Sequence, residues 1–540
     1  MKKKLLLLAF LISQYFTFAQ IEDAWVYLTD KANVQSALNA PITILTQRAI
    51  DRKNAHGVVI DERDVPVNES YISSLKMQNG ITVMAKSKWF NAVHVRGTQT
   101  DINALSSLNF VASIDFADKN LNVGRSSKSK DKTNVEESQV SFVYGSTQNQ
   151  VEMINADGLH LQDYTGSGML VAVIDASFTN VNTMDAFQDL RNDGRLLGGY
   201  DFVDGTSDVY AFSPPSNAIS HGTMVLSTMA GFIPDQYVGT APDASYYLFR
   251  TEDIYNENPV EESYWVEAAE RADSLGVDVV NTSLGYFDYS ESNSNYSYTA
   301  SDMDGNTAYI TKGANIAFEK GMLLVNSAGN EGSNGIIAPA DAAGVLTIGA
   351  VDASGTIAWF SSRGSVYQTT QKPDVVAQGQ GAAVVNRFGS IAAYNGTSFS
   401  SPIMAGGVTC LWQALPTATN AEIMDYVRQS ADRFTTPDYD YGYGIPNLGL
   451  ALTIGLSVQE EKITALKLYP NPVSQTLYLK IPNNTEESTL TIYDVFGKVV
   501  IQKFKMNSSD SVDVSFMASG LYLVSFQSKE LSKTFKLIKS

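Results

Sequence analysis

Asp175, His221 and Ser398 are widely separated in this chain, yet their types could join in nucleophilic chemistry. A serine hydroxyl attacks a carbonyl only when a neighbouring base takes its proton and fixed donors receive the oxyanion that forms. Ser398 lies in Gly396-Thr397-Ser398-Phe399-Ser400-Ser401-Pro402, where a small residue precedes the serine and a helix is predicted to begin at it. Alone, such a string reads as an ordinary capped helix start, because Ser and Thr are common N-caps. Two upstream segments supply partners. Val171-Ala172-Val173-Ile174-Asp175 is a short apolar run ending in a carboxylate, the pattern of a buried parallel strand that delivers Asp to the carboxyl edge of a sheet. His221-Gly222-Thr223 puts an imidazole at the start of a small-residue helix running toward Gly231.

The chain order Asp, His, Ser and the strings V-A-V-I-D, S-H-G-T and G-T-S-x-S-x-P resemble the subtilisin-like serine proteases, over roughly residues 145–452. Ser327-Ala328-Gly329-Asn330-Glu331-Gly332 is similar to that family's oxyanion segment. Asn281-Thr282-Ser283-Leu284-Gly285 is similar to the strand walling its specificity pocket, with Ser327-Ala328-Gly329 as the opposite wall. The resemblance implies that Ser398 attacks the peptide carbonyl, His221 takes and returns the proton, and Asp175 orients the imidazole and stabilises its cation. It implies that Asn330 and the Ser398 backbone N–H hold the oxyanion, and that substrate lies along Ser283, Leu284, Gly285, Ser327, Ala328 and Gly329. The expected activity is a secreted serine endopeptidase acting on proteins or peptides, with no cofactor required for the chemistry. Relatives often bind structural calcium, and Asp201-Phe202-Val203-Asp204-Gly205 is the candidate cage here. The chain departs from the family pattern at Ala176-Ser177, at Met224 and at Tyr286, the last implying a narrowed pocket rim.

Other residues of the same types fit this chemistry less well. His160 is the other histidine of the catalytic region, and no carboxylate stands in register with it. Ser400 and Ser401 match Ser398 in type but not in register. No H-E-x-x-H string supports zinc peptidase chemistry. A catalytically silent scaffold or adhesin is the alternative class, and a casein digest with and without a serine-directed inhibitor separates the two.

The elements that must position these residues follow from patterning. Apolar runs at 169–174, 245–249, 277–280, 322–325 and 345–351 alternate with helical stretches such as 261–275. This predicts an α/β fold, a doubly wound, mostly parallel sheet whose carboxyl edge collects Asp175, Ser283 and Ser327. Ahead of it, short strands and helices over 20–120 predict an α+β module that resembles a subtilase prosegment; His56 and His94 within it lack metal-ligand spacing. Residues 1–19 read as a signal peptide, with Lys2-Lys3-Lys4, an apolar centre and Thr17-Phe18-Ala19. The polar stretch 121–144 reads as a linker containing a processing site, the catalytic domain as 145–456, and the polar run 457–462 as a second linker. Residues 462–540 alternate apolar and polar positions as a β-sandwich does, and Y-P-N-P, Y-D-V-F-G-K and S-G-L-Y-L-V resemble the C-terminal sorting domain of the type IX secretion pathway. A carbohydrate-binding module is its rival, marked by exposed aromatics on one sheet face. The Tyr/Ser/Asn-rich insertion 286–306 is expected either to rim the cleft or to be solvated.

Composition narrows the partners. Net charge is −19, and residues 145–457 hold 11 Lys and Arg against 35 Asp and Glu. An acidic body argues against nucleic acid. No later run is long and apolar enough to suggest a membrane span in the mature chain. The one cysteine, Cys410, is expected to be a small buried hydrophobe. The resemblances together imply the type IX secretion machinery as partner, and a secreted or surface location beyond the outer membrane of a Gram-negative bacterium.

Overall fold

A computed structural model describes residues 20–121, 142–210, 220–255, 257–289, 291–481, 488–504, 510–528 and 532–540. The predicted signal peptide, 1–19, and most of the predicted first linker, 122–141, lie outside the described residues.

Seven strands form the central sheet in the order Val375–Gln378, Val345–Val351, Leu323–Ser327, Val279–Thr282, Leu170–Asp175, Ser245–Arg250, Leu196–Asp201, with every neighbouring pair parallel. Its middle strands are covered on both faces, which is why they read as mostly Val, Leu, Ile and Ala rather than as alternation. Alternate residues of Leu170–Asp175 serve the two cores: Val171 and Val173 face one, Ala172 and Ile174 the other. The first core holds the helices His221–Ala230, Thr397–Ala414 and Asn420–Ser430; the second holds Val260–Leu275 and Tyr309–Glu319. The helix Thr397–Ala414 is buried from Thr397 through Trp412, so it is apolar or small all round. Cys410 lies within it, fully buried, and its thiol is pushed well up by burial, as a small core residue rather than a reactive one.

The N-terminal sheet has the order Thr82–Ser87, Ala92–Thr98, Ile21–Leu28, Val111–Phe116, all antiparallel. Along Ile21–Leu28, Ala24, Val26 and Leu28 pack into the N-terminal module's own core, whereas Trp25 faces the domain of the central sheet and stacks on Tyr309 at 4.3 Å. The buried Glu270 of the helix Val260–Leu275 accepts from Ser87 Oγ and from the Lys88 and Trp89 N–H groups, at 2.5, 3.0 and 2.9 Å.

The insertion 286–306 is neither rim nor solvated loop. Tyr286, Tyr289, Tyr296 and Tyr298 are buried, and the Tyr289 and Tyr298 hydroxyls both donate to Glu262 Oε1 at 2.7 Å. Tyr296 reaches the N-terminal module, donating to Glu22 at 3.0 Å. The rings bury apolar area while their hydroxyls satisfy buried carboxylates, a use of tyrosine that polar neighbours in sequence disguise.

The C-terminal sandwich packs Lys467–Tyr469, Thr476–Lys480 and Ser511–Asp513 against Val499–Phe504, Thr489–Tyr493, Gly520–Gln527 and Ser532–Lys539. One exposed aromatic pair, Tyr469 and Tyr478, stacks across neighbouring strands at 5.7 Å. The predicted second linker is not a loop: one helix, Leu448–Ala465, runs through 457–462. No Gly or Pro interrupts it after Leu456, and Gln459, Glu460, Glu461 and Lys462 are good helix formers, so polarity alone was a poor guide to a break.

Candidate active site

Asp175 closes its strand and His221 opens its helix. They meet because position 222 is glycine: a Cβ there would lie 2.5 Å from the Ser177 carbonyl oxygen and 2.9 Å from the Asp175 Cβ. Asp175 is fully buried, and its Oδ1 accepts from the Ala176 N–H and from His221 Nδ1, each at 2.7 Å. A carboxylate can only accept, so Nδ1 carries the proton and Nε2 is left as the basic nitrogen. Asp175 Oδ2 has no partner among the described residues, which leaves the charge of the carboxylate to the imidazole. Burial works against an imidazolium here, but the Asp175 charge and hydrogen bond, with the Glu252 charge behind them, outweigh it and hold His221 above its ordinary range.

Ser398 is the second residue of the helix Thr397–Ala414, and its Oγ has no hydrogen-bond partner among the described residues. Ser398 and His221 line one cleft of about 870 Å³, although no hydrogen bond joins the two side chains. The rival serines are both committed: Ser400 Oγ donates to the Thr397 carbonyl at 3.1 Å and Ser401 Oγ to Asn281 Oδ1 at 2.9 Å. His160 is buried between the Tyr144 hydroxyl at 2.8 Å and the Thr240 carbonyl at 3.0 Å, and burial lowers it to about 4. It is a satisfied core histidine.

Asn330 is oriented from behind. Its Oδ1 accepts from the Thr397 N–H at 2.9 Å and from Thr397 Oγ1 at 3.1 Å, which turns the amide NH₂ away from Thr397 as a free donor on the cleft lining. Ser283, Leu284 and Gly285 line the same cleft. Ser327, Ala328 and Gly329 do not: they are buried behind it, and the lining passes from Gly285 to Asn330. The two segments are nevertheless tied, since Asn326 Nδ2 donates to both the Leu284 and Ser327 carbonyls, at 3.2 and 2.8 Å.

A proline links the Ser283 segment to the Ser398 helix. Pro402 has no N–H to offer the Ser398 carbonyl four residues back, and Ser283 Oγ takes its place, donating to that carbonyl at 2.9 Å.

The remaining cleft wall went unmarked in the sequence. Glu252, Asp253, Glu257 and Glu261 line it, following directly on the strand Ser245–Arg250. Burial raises the pKa of Glu252, Glu257 and Glu261. Their signal was position: the carboxyl edge of a parallel sheet is where ligands are met. The candidate calcium cage is filled by protein, because Arg250 Nη1 bonds both Asp201 Oδ2 and Asp204 Oδ2 at 2.6 Å. Among the described residues no group of three or more His, Cys, Asp or Glu is placed to hold a metal.

Comparison with known proteins decides the family. The Subtilase family profile matches residues 166–444. Subtilisin E of Bacillus subtilis (strain 168) is 32% identical over 323 residues, covering 59% of this chain and 74% of that protein. The chain belongs to the subtilase family. Subtilisin of Bacillus pumilus is 31% identical over 306 residues, 56% of this chain and 97% of that protein. The crystal structure of MycP1 with its N-terminal propeptide removed aligns with TM-score 0.45 and 22% identity, over 56% of this chain and 96% of that one. The Bacteroidota Peptidase S8 propeptide domain matches residues 23–136, and the secretion system C-terminal sorting domain matches 467–540. This subtilase is therefore a serine endopeptidase with a prosegment before its catalytic domain and a type IX sorting domain after it. No helix among the described residues is long and apolar enough to cross a membrane.

Proposed function

We propose that Asp175, His221 and Ser398 act as one catalytic unit in peptide-bond hydrolysis, with Asn330 Nδ2 and the Ser398 N–H receiving the oxyanion. The observation that carries this reading is the 2.7 Å bond from His221 Nδ1 to buried Asp175, which leaves a basic Nε2 on the cleft that Ser398 borders. His221 takes the Ser398 proton as Oγ attacks the scissile carbonyl, then returns it to the leaving amine; water repeats the cycle on the acyl-enzyme. No cofactor enters that sequence. The signal peptide carries the chain through the inner membrane and the sorting domain carries it through the outer one.

The test is hydrolysis of casein and of a peptide amide. Ser398→Ala, His221→Ala and Asp175→Asn each lower kcat by about 10⁴-fold or more without unfolding the domain, and their effects do not add. Asn330→Ala lowers kcat by about 10²-fold with little change in KM, because its partner oxygen is charged only in the transition state. Most of the turnover surviving in Ser398→Ala would overturn the assignment; weaker binding with unchanged kcat would move Asn330 to a pocket role.

A further inference from the structure

Between Ile21–Leu28 and Glu69–Lys76 the prosegment carries an arm, residues 31–67, that reaches the end of the central sheet away from the cleft. The Thr46 N–H donates to the Ser274 carbonyl at 3.0 Å and Arg48 Nε to the Gly276 carbonyl at 3.1 Å, while Arg48 pairs with Asp278. These residues lead into the strand Val279–Thr282, at the edge opposite Ser283. Four strand residues at ~3.3 Å each put roughly 13 Å between the two edges.

The arm is held there by charges that alternate between the two domains. Arg52 and Lys53 of the arm bond Asp273 of the catalytic domain at 2.6 and 2.7 Å. Lys320 of the catalytic domain bonds Asp61 and Asp64 of the arm at 2.9 and 2.7 Å, and Lys53 joins the two sets through Asp64 at 3.2 Å, giving one continuous chain of charges from Arg52 to Asp61. Side-chain exposure is 3% for Arg52, 1% for Lys320 and 0% for Lys53, Asp64 and Asp273. Around this buried chain of charges, Arg63 pairs with Glu319 at 2.6 Å, and His56 packs on Trp412 at 5.5 Å between ring centroids. None of these residues lines the cleft.

We propose that the C-terminal ends of the helices Val260–Leu275 and Tyr309–Glu319 form an exosite for residues 31–67, which keeps the prosegment bound after the linker is cut. A buried chain of ion pairs is poor evidence for fold stability, since its ions have been stripped of water. It is a strict selector of partner, because any occupant lacking the matching sign leaves a charge buried and unpaired. Two separated footholds on one body also raise the effective concentration of each for its site, so the prosegment rebinds before it diffuses away. The proposal rests on the reading of the chain as a protease restrained by its prosegment, and the test does not need its activity.

The full chain carrying Ser398→Ala is cut by brief trypsin treatment within 122–141, where Arg125, Lys128, Lys130 and Lys132 stand. The half-time for release of the prosegment on dilution is then followed by size-exclusion chromatography. Lys320→Met and Asp273→Asn each shorten that half-time by about a hundredfold or more. Arg63→Ala, which breaks a half-exposed pair, shortens it by about threefold. Half-times within twofold of the parent for both Lys320→Met and Asp273→Asn overturn the exosite. Should those two chains not fold, Arg63→Ala combined with Arg48→Ala keeps the comparison, with about tenfold faster release expected and no change overturning it. A Ser398→Ala chain that cuts its own linker would instead sink the catalytic assignment and leave the release times standing.

Discussion

His221 takes its proton affinity from two opposed effects. Burial disfavours the imidazolium, and the Asp175 carboxylate, bonded to Nδ1, restores and exceeds what burial removes. Glu252 adds to the same side from the cleft wall, and it is itself raised, by burial first and by the Asp175 charge, against the opposing hydrogen bond from Tyr286. In the proposed mechanism His221 must be neutral to accept the Ser398 proton, so activity is expected to be lost as pH falls through the raised His221 pKa. Removing a negative charge that favours the cation lowers that pKa. Glu252→Gln therefore moves the acid limb of kcat/KM down by roughly half a pH unit and leaves the plateau in place. A pH–rate profile checks it, and a limb that stays or moves up removes Glu252 from the electrostatics of the base. At this scale the sequence singles out residues that sit in local strings, as Asp175, His221, Asn330 and Ser398 do, and the fold brings Asp175 onto His221 and sets His221, Asn330 and Ser398 on one cleft. Glu252 sits in Thr251-Glu252-Asp253-Ile254, which marks nothing until the strand Ser245–Arg250 is known to end before it.

The element that joins chemistry to fold is the helix Thr397–Ala414, and its weakest backbone point is the Ser398 carbonyl. Proline at 402 removes the usual donor, and Ser283 supplies a hydroxyl from the pocket-wall segment. Ser283→Ala thus leaves a buried carbonyl unpaired and costs about 1–2 kcal/mol of stability. Pro402→Ala adds an N–H at the position from which a helix would bond that carbonyl, so the double variant loses less than the sum of the singles. Denaturant unfolding of the four chains, in the Ser398→Ala background to avoid self-digestion, measures the coupling; strict additivity would show that the two groups do not share the carbonyl. The central strands were legible for a simple reason: covered on both faces, Val345–Val351 and Leu323–Ser327 can afford few polar residues. The insertion 286–306 was not legible, because its tyrosines are buried by Glu262 and by the prosegment's Glu22, partners far away in sequence.

At the scale of the whole molecule, the boundary between enzyme and sorting domain has a physical location. The helix Leu448–Ala465 packs its first half into the catalytic core through Leu448, Ala451 and Leu452, whereas Leu466, fully buried, already belongs to the core of the sandwich. A cut at 462, suggested by polarity, would remove the last turn of that helix; a cut after Ala465 separates the two cores and leaves the helix whole. The cleft residues all lie before it, from Ala176 to Phe399. A chain ending at Ala465 therefore keeps its kcat/KM on casein within about twofold when made in a host without type IX export, since no group that touches substrate has been lost. In the native host the same chain stays in the periplasm, folded and competent, because the residues that match a secretion sorting domain are gone. Assaying medium and periplasmic fractions for the truncated enzyme distinguishes the outcomes. Arrival of the truncated chain in the medium would mean that export does not depend on 466–540. Retained export with activity lost on casein but not on a short peptide would make the sandwich a substrate-binding module, with the exposed Tyr469 and Tyr478 pair as its first candidate contact.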